Sequence, residues 1–270
     1  MKGILVVNHF LNNEKFNELH SVLISSAKKA GIELDIKTNL ELETEKAECD
    51  FVLFWDKDVN LARALENSGM RVFNSSSAIE LCDDKAKTYL ALDGVVAQPE
   101  TIIAPLSFFD CDYRTFAEKA VERLGLPVVF KECFGSFGEQ VYLCNSVDEV
   151  LSHITSKPFL LQKYIEANGT DVRIEVIGGE CVGAVKRVNE HDFRSNITNG
   201  GRAFAYQPTE KEKALAIKAC KVLGLDFGGV DIINSEFVCE VNSNAHIVNL
   251  KNATGIDSAK MIFKYIMGKI

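Results

Sequence analysis

The chain is predicted to be an α/β protein: an open, parallel α/β domain, then a longer part in which antiparallel hairpins and helices mix. Three observations predict this. Up to about Ser75, short apolar runs alternate with amphipathic helical stretches, as strand–helix–strand units do. Further on, Asp171–Ile177 and Cys181–Val188 are apolar-rich runs separated by Gly178-Gly179, which reads as a hairpin. Lastly, in Gly228–Asn242 (GGVDIINSEFVCEVN) two short apolar runs each carry an acid.

In order, Gly3–Asn8 reads as a buried strand and Glu14–Ala30 as a helix with Phe16, Leu19, Leu23, Ala27 and Ala30 on one face, closed by Gly31. Strands at Ile32–Thr38, Phe51–Trp55 and Arg71–Asn74, and a helix through Leu61 and Leu65, complete a domain over residues 1–75. Trp55-Asp56-Lys57-Asp58 lies at a strand's carboxyl end, where such sheets bind ligands, but the favoured reading is a loop and helix cap. A second unit, 76–165, holds a helix from Ser76 carrying Asp84 and Lys85, strands at Thr101–Ala104, Leu126–Lys131, Val141–Cys144 and Phe159–Ile165, and a helix at Arg114–Leu124. Ser146 and Glu149 have capping-box spacing for a further helix. The third unit, 166–270, adds the glycine-turned hairpin, a polar and mobile loop from Asn189 to Arg202, and a helix from Thr209 to Gly224 with Glu212 at the box position. It ends in the acid-bearing hairpin and a terminal amphipathic helix, Thr254–Met267.

At 270 residues, 47% apolar and 25% charged, the composition is that of an ordinary soluble protein of two or three small domains. A formal charge of −8 argues against a nucleic-acid partner, which needs a basic face. The eight cysteines are scattered without a C-x-x-C pair, which suggests reduced, buried thiols rather than disulfides or zinc. The opening apolar run is too short for a signal peptide and no stretch approaches a membrane span, so a cytoplasmic location is expected.

Acids inside apolar strands need a reason, because burying an unpartnered carboxylate is costly. Alternation points Glu240 and Asn242 to the same side. With Ser235-Glu236 as a two-residue turn, Asp231 falls opposite Glu240, and like charges so placed repel unless a cation lies between them. An all-oxygen set of Asp231, Glu240 and Asn242 suits Mg²⁺; a solvated acidic sheet face is the plain alternative. Phe134-Gly-Ser-Phe-Gly138 is a glycine loop between two strands, following Lys131. It is neither a dinucleotide fingerprint nor a Walker sequence, and taken alone it also fits a simple turn. Glycines there would let backbone N–H groups close over phosphates.

Taken together, two lysines, a glycine hairpin, the strand ending Gln162-Lys163-Tyr164-Ile165 and the acid hairpin resemble the ATP-grasp superfamily, specifically the RimK-like carboxylate–amine ligases. The resemblance runs from about Ser76 to Ile266, most specifically through Phe193-Arg-Ser-Asn196 with Gly200-Gly201, Gly228-Gly-Val-Asp-Ile232, Glu240-Val-Asn242 and Thr254-Gly-Ile-Asp257. It implies a two-lobed ATP-grasp fold of α+β type, after a pre-ATP-grasp domain. It further implies that Lys85 and Lys131 hold ATP phosphates under Gly135, Ser136 and Gly138, that Gln162, Lys163 and Tyr164 line the adenine, and that Asp171 lies near the ribose. Arg194, Ser195 and Asn196 match the phosphate and substrate segment, and Asp231, Glu240 and Asn242 the Mg²⁺ ligands, with Mn²⁺ an acceptable substitute. Arg173, Arg187 and Arg194 are the candidate catalytic cations, the first two matching arginines placed to hold an acceptor carboxylate or acyl phosphate. The partners implied are a carboxylate substrate (small molecule, peptide or protein tail), an amino-acid donor such as glutamate, and further copies of the chain in a homo-oligomer.

The sequence departs from the pattern at Lys163, where many relatives carry an acid, and at Ser243–Asn249, which replaces a Ser-Pro-Gly turn beside the substrate site. The second departure puts a ribosomal-protein substrate in doubt. His246 in that segment is a candidate substrate contact or a merely orienting or solvated residue, while His20 and His153 read as structural. The competing functional classes are a nucleotide-binding regulatory protein without turnover, an ATP-grasp enzyme of another subgroup, and an α/β protein that binds no nucleotide.

Overall fold

A computed structural model describes the chain except residues 12, 43–47, 108, 110, 136, 137 and 245. The amino-terminal part is β1 (Lys2–Val7), α1 (Glu14–Lys29), β2 (Glu33–Thr38), α2 (Asn39–Leu42), β3 (Phe51–Phe54), α3 (Val59–Asn67) and β4 (Val72–Phe73). Its sheet has the order β2-β1-β3-β4, and all its pairings are parallel. β3, with Phe51 to Phe54 all buried, is the central strand its unbroken apolar run predicts. Asn13 caps α1 by accepting from the Phe16 N–H, and Asp58 caps α3 by accepting from Leu61.

The next segment comprises α4 (Ser76–Asp83), α5 (Lys85–Leu92), β5 (Thr101–Ile103), α6 (Arg114–Leu124), β6 (Val128–Glu132), β7 (Val141–Cys144), α7 (Val147–Ser152) and β8 (Phe159–Lys163). The helix expected from Ser76 is two helices. Asp84 leaves helical geometry and its carboxylate accepts from the N–H groups of Ala86 and Lys87, so it starts α5 and sets Lys85 at that helix's first position. β5-β8-β6-β7 form an antiparallel sheet. At α7, Ser146 caps as expected, but the Glu149 carboxylate accepts from Asn145 rather than from the cap residue.

The last segment holds β9 (Thr170–Ile177), β10 (Glu180–Val188), β11 (Arg202–Ala205), α8 (Glu210–Leu223), β12 (Phe227–Ile233), β13 (Phe237–Asn242), α9 (Ile247–Thr254) and α10 (Ser258–Met267). Its antiparallel sheet has the order β11-β10-β9-β12-β13. The Thr209–Glu212 capping box is present in full. Two expectations need correction. The polar stretch after Asn189 contains a 3₁₀ turn at Ile197–Asn199 and leads into β11, which pairs with β10. The terminal helix is two: Gly255, at φ +78°, ends α9, and Asp257 caps α10 by accepting from Lys260. Residues 247–249 of the segment expected to be loop are therefore the first turn of α9, anchored by buried Ile247.

Two shared cores fix these parts together. Leu5, Leu23, Phe51 and Leu53 pack with Phe227, Ile247, Ile262 and Phe263, so α9 and α10 fold back onto the amino-terminal sheet. Ala78, Cys82 and Leu92 of α4 and α5 pack with α8 and the inner face of the carboxyl-terminal sheet. The opposite face of that sheet is left to line a cleft.

Candidate active site

The cleft face of the carboxyl-terminal sheet is built by alternation. On β9, Val172, Ile174 and Val176 enter the core, so Asp171, Arg173 and Glu175 face the other way. Register brings Arg187 of β10 opposite Asp171, and Asp231 of β12 opposite Arg173. The result is a buried four-residue ion network. Arg173 donates from Nε and Nη2 to the two oxygens of Asp231, both at 2.6 Å. Arg187 donates from Nε to Asp171 at 2.7 Å and from Nη2 to Asp231 at 2.8 Å, with a further bond from Nη2 to Asp171. Burial pushes the Asp231 carboxyl up, but the guanidiniums of Arg173 and Arg187 outweigh it and hold its pKa at about 2.

Asp231 does stand opposite Glu240, but by a different route from the one the turn suggests. The turn has three residues, Asn234 to Glu236, and Ile233 pairs with Phe237. A bulge at Cys239 then absorbs the extra residue before Asp231 meets Glu240. The cation needed between the acids is in part already present, since Asp231 is neutralised by Arg173 and Arg187. Glu240 is separate from that network. Its side chain is 32% exposed, and its nearest cation is Lys85, with Nζ 3.9 Å away.

One part of the cleft, about 890 Å³ with its open mouth included, lies between the two antiparallel sheets. Lys131 at its floor donates to Gln162 Oε1 at 2.7 Å, and burial lowers its pKa. Gln162 is itself fixed by donating to Thr101. Lys85 Nζ lies 3.4 Å from the Gly135 carbonyl. Apolar Val129, Val141 and Ile233 line the same space beside Lys163, Tyr164 and Ile165, and Phe193 meets the Tyr164 ring edge-on at 6.4 Å. Gly135 and Gly138 border this space, while Ser136 lies outside the described residues. Asp171 lines it too, with its carboxylate engaged by Arg187.

Arg194 and Asn196 hold the glycine loop. Arg194 pairs with Asp192 at 2.6 Å and donates to the carbonyls of Gly138 and Val141, at 2.7 and 3.3 Å. Gly138 has φ +75°, and a Cβ there would stand 2.9 Å from Asn196 Oδ1. Ser195 is buried, and the chain turns back so tightly that a Cβ on Gly201 would meet its carbonyl at 2.3 Å.

A second space, about 1060 Å³, lies between the amino-terminal sheet and the carboxyl-terminal sheet. It is lined by Asn8, Lys15, Trp55, Asp56 and Lys57 from one side and by Arg173, Arg187, Asn242, His246 and Asn249 from the other. Asn196, Arg187 and Glu240 border both spaces. Glu240 also borders a third, about 550 Å³, which Asp83 and Asn242 share with Lys85 and Lys131. His246 faces this second space, and burial, reinforced by Arg173, Lys15 and Arg187, lowers its pKa to about 3, so it is neutral at physiological pH. Asp58 makes the helix cap read in the sequence, while Asp56 and Lys57 beside it face the cavity. Lys15, Asn8 and Asp83 are residues that no spacing in the sequence marked.

Among the described residues no three His, Cys, Asp or Glu side chains stand close enough to hold a metal by themselves. The oxygen set nevertheless fits a hard cation. Among the described residues Glu240 accepts no hydrogen bond and has Lys85 Nζ 3.9 Å away, Asn242 Nδ2 is buried without a partner, so its amide can turn to offer the oxygen, and Asp231 Oδ1 accepts a single bond.

Residues 82–266 match the RimK-like ATP-grasp domain. The chain is 34% identical over 245 residues to "Uncharacterized protein MG012 homolog" of Mycoplasma pneumoniae, covering 84% of this chain and 85% of that one. It is 33% identical to human N-acetylaspartylglutamate synthase A over 78% of its own length and 56% of the synthase. Among solved structures, the RimK domain ATP-grasp protein of Sphaerobacter thermophilus superimposes over 99% of this chain and 100% of its own, with a TM-score of 0.74 at 20% identity. This chain is a member of the RimK-like ATP-grasp family.

Proposed function

We propose that the protein is an ATP-dependent carboxylate–amine ligase that joins an amino acid, glutamate first among the candidates, to a carboxylate substrate, releasing ADP and phosphate. The observation that carries this is the continuity of the site. A space lined by two lysines is continuous, past Glu240 and Arg187, with a second space that mixes apolar side chains with Arg173, Asn242 and His246. A regulatory nucleotide binder has no need of that second chamber.

The substrate carboxylate attacks the γ-phosphorus of ATP, the bond to the β-bridging oxygen breaks, and an acyl phosphate and ADP result. The amine then attacks the acyl carbon and phosphate leaves. Lys85 and Lys131 stand at the end of the nucleotide space that borders Glu240, where their amino groups meet the phosphates. Arg187 reaches both spaces and is rigidly held by Asp171 and Asp231, so its charge is preorganised for the acyl phosphate. Arg194 donates to the carbonyls of Gly138 and Val141 and so anchors the end of the glycine loop beside the phosphates. Glu240, Asn242 and the outer lone pair of Asp231 would hold Mg²⁺. Bound there, Mg²⁺ supplies charge neutralisation for the phosphate oxygens.

The test is to incubate the purified protein with ATP, Mg²⁺, amino acids and a panel of carboxylates, following ADP and phosphate and identifying products by mass spectrometry. ADP, phosphate and an amide product are expected. AMP with pyrophosphate would overturn the acyl-phosphate route, and nucleotide binding with no turnover on any pair or in a cell extract would favour the regulatory reading.

A further inference from the structure

The amino-terminal sheet ends in a strand with one side unpaired. β2 lies at the edge of the order β2-β1-β3-β4, and among the described residues no strand pairs with its outer side. The Glu33 N–H donates to the Met1 carbonyl, so Glu33, Asp35 and Lys37 turn their backbone groups toward β1, while Leu34, Ile36 and Thr38 turn theirs outward. The Thr38 N–H is taken by the Glu41 carboxylate at 2.7 Å, but no bond to the outward groups of Leu34 or Ile36 comes from the described residues. Proline or a bulge commonly blunts such an edge, and β2 has neither: it keeps an unbroken register with β1 from Glu33 to Thr38.

The side chains along this edge complement a reversed copy of themselves. Ile36 stands beside Leu5 on the α1 face of the sheet and is 44% exposed. The flank of α1 that carries Val22, Ser25 and Lys29 borders Lys251 and Asp257, so helical geometry sets Ile24, itself 36% exposed, on the other flank, above the β2 edge. On the opposite face Asp35 and Lys37 flank the Ile36 position with opposite charges. Run a second β2 antiparallel about a two-fold axis through Ile36, and Ile36 meets Ile36, Leu34 meets Thr38, and each Asp35 meets a Lys37. Moving the axis to Asp35 or to Lys37 sets that residue against its own charge, so charge selects the register. In it the two Ile36 residues exchange both backbone bonds, and each Leu34 N–H faces a Thr38 carbonyl rather than the engaged Thr38 N–H. We infer that the chain forms a two-fold dimer by antiparallel pairing of β2, which joins two amino-terminal sheets into one and brings the Ile24 flanks of the α1 helices together on one face.

Sedimentation equilibrium of the full chain across the micromolar range measures the dimer Kd, with circular dichroism checking the fold of each variant. Asp35→Lys and Lys37→Asp each set like charges opposite one another on both sides of the axis, and each should raise Kd about ten- to a hundred-fold. The double variant Asp35→Lys/Lys37→Asp should return it to within about three-fold of the native value. An equimolar mixture of the two single variants should form heterodimers more tightly than either forms homodimers, because each chain then opposes two charges of one sign with two of the other. Within its own chain Asp35 makes an exposed pair with Lys2 at 3.6 Å, which contributes little, and neither Asp35 nor Lys37 borders the three spaces of the cleft. If a charge reversal does not fold, Ile36→Lys, a substitution at an exposed position, should still dissociate the dimer. A native protein that is monomeric throughout the range, a Kd that neither reversal moves, or a double variant no tighter than the single ones would each overturn the inference.

Discussion

Asp231→Asn and Glu240→Gln, two neutralisations of acids in the same ladder, should behave differently. Both are expected to abolish ADP release, but only the first should weaken the fold. Asp231 accepts three guanidinium bonds in the interior, and an amide at that position would turn an N–H₂ donor toward a guanidinium. Its carboxyl sits at about 2 against an ordinary 3.8, which corresponds to roughly 2–3 kcal/mol of stability at neutral pH. Removing one partner of a buried pair costs about 3–5 kcal/mol, so the two routes agree near 3 kcal/mol. At about 2–4 °C per kcal/mol for a chain of this size, Asp231→Asn should melt roughly 6–12 °C lower. Glu240, part-exposed with its nearest cation 3.9 Å away, should change stability by less than about 0.5 kcal/mol. The pH sign follows from the depressed value. The Asp231 contribution is complete above its ordinary pKa and lost as pH falls through about 2, so the gap between wild type and Asp231→Asn should close between about pH 4 and pH 2. Circular dichroism melts across that range, paired with ADP release at neutral pH, make the measurement. An Asp231→Asn protein melting within a degree of wild type would refute the network, and near-normal turnover in Glu240→Gln would refute the assignment of the cleft.

Glu175 should show the opposite pH sign: burial raises its pKa to about 7 and Oε2 has no partner, so folding loses stability as pH rises from about 4.5 to 7. Glu175→Gln should therefore be more stable than wild type at pH 8, by roughly 3 to 4 kcal/mol, and indistinguishable from it at pH 4, by denaturant titration. Lys131→Met should raise the KM for ATP about ten- to a hundred-fold in the ADP-release assay, the loss expected for one charge-assisted hydrogen bond. Gly138→Ala places a side chain at φ +75° against Asn196, so kcat/KM for ATP should fall about five- to thirty-fold and the melting temperature by roughly 2–8 °C.

The elements were legible in the sequence where one period dominated locally. The parallel amino-terminal sheet, the Gly178-Gly179 hairpin and the Thr209 helix start all follow from nearest-neighbour chemistry. The charged network was not legible, because a bulge decides it. A two-residue turn at Gly178-Gly179 sets Asp171 against Lys186, but the ladder shifts by one between Cys181 and Gly183, and Arg187 arrives there instead. The only local sign of that bulge is Gly183 inside the strand, and a glycine there fits a close backbone approach as well as a bulge, so it does not fix the register. At the second hairpin a three-residue turn and the bulge at Cys239 offset each other, and so the Asp231–Glu240 pairing could be read from a turn that does not form. The break at Gly255 was hidden differently: Ile247 and Leu250 mark a helical face, but the sequence gives Ser243–Asn249 the polar look of a loop.

The network also changes what the acids of the ladder mean. Two opposed carboxylates require a cation, and a metal was the simplest one the sequence offered. The fold supplies two guanidiniums first, and divides the acids by doing so. Asp231 spends its charge inside, fixing Arg173 and Arg187 as rigid donors on the substrate wall. Glu240, one strand further toward the sheet edge, faces no guanidinium and borders all three spaces of the cleft. A cation brought in with a nucleotide would therefore meet Glu240 and Asn242 before it competed for Asp231. The arginines keep their orientation as long as Asp231 keeps its own charge, so in the proposed ligase positioning the acceptor and binding the nucleotide would fall to different residues of one ladder.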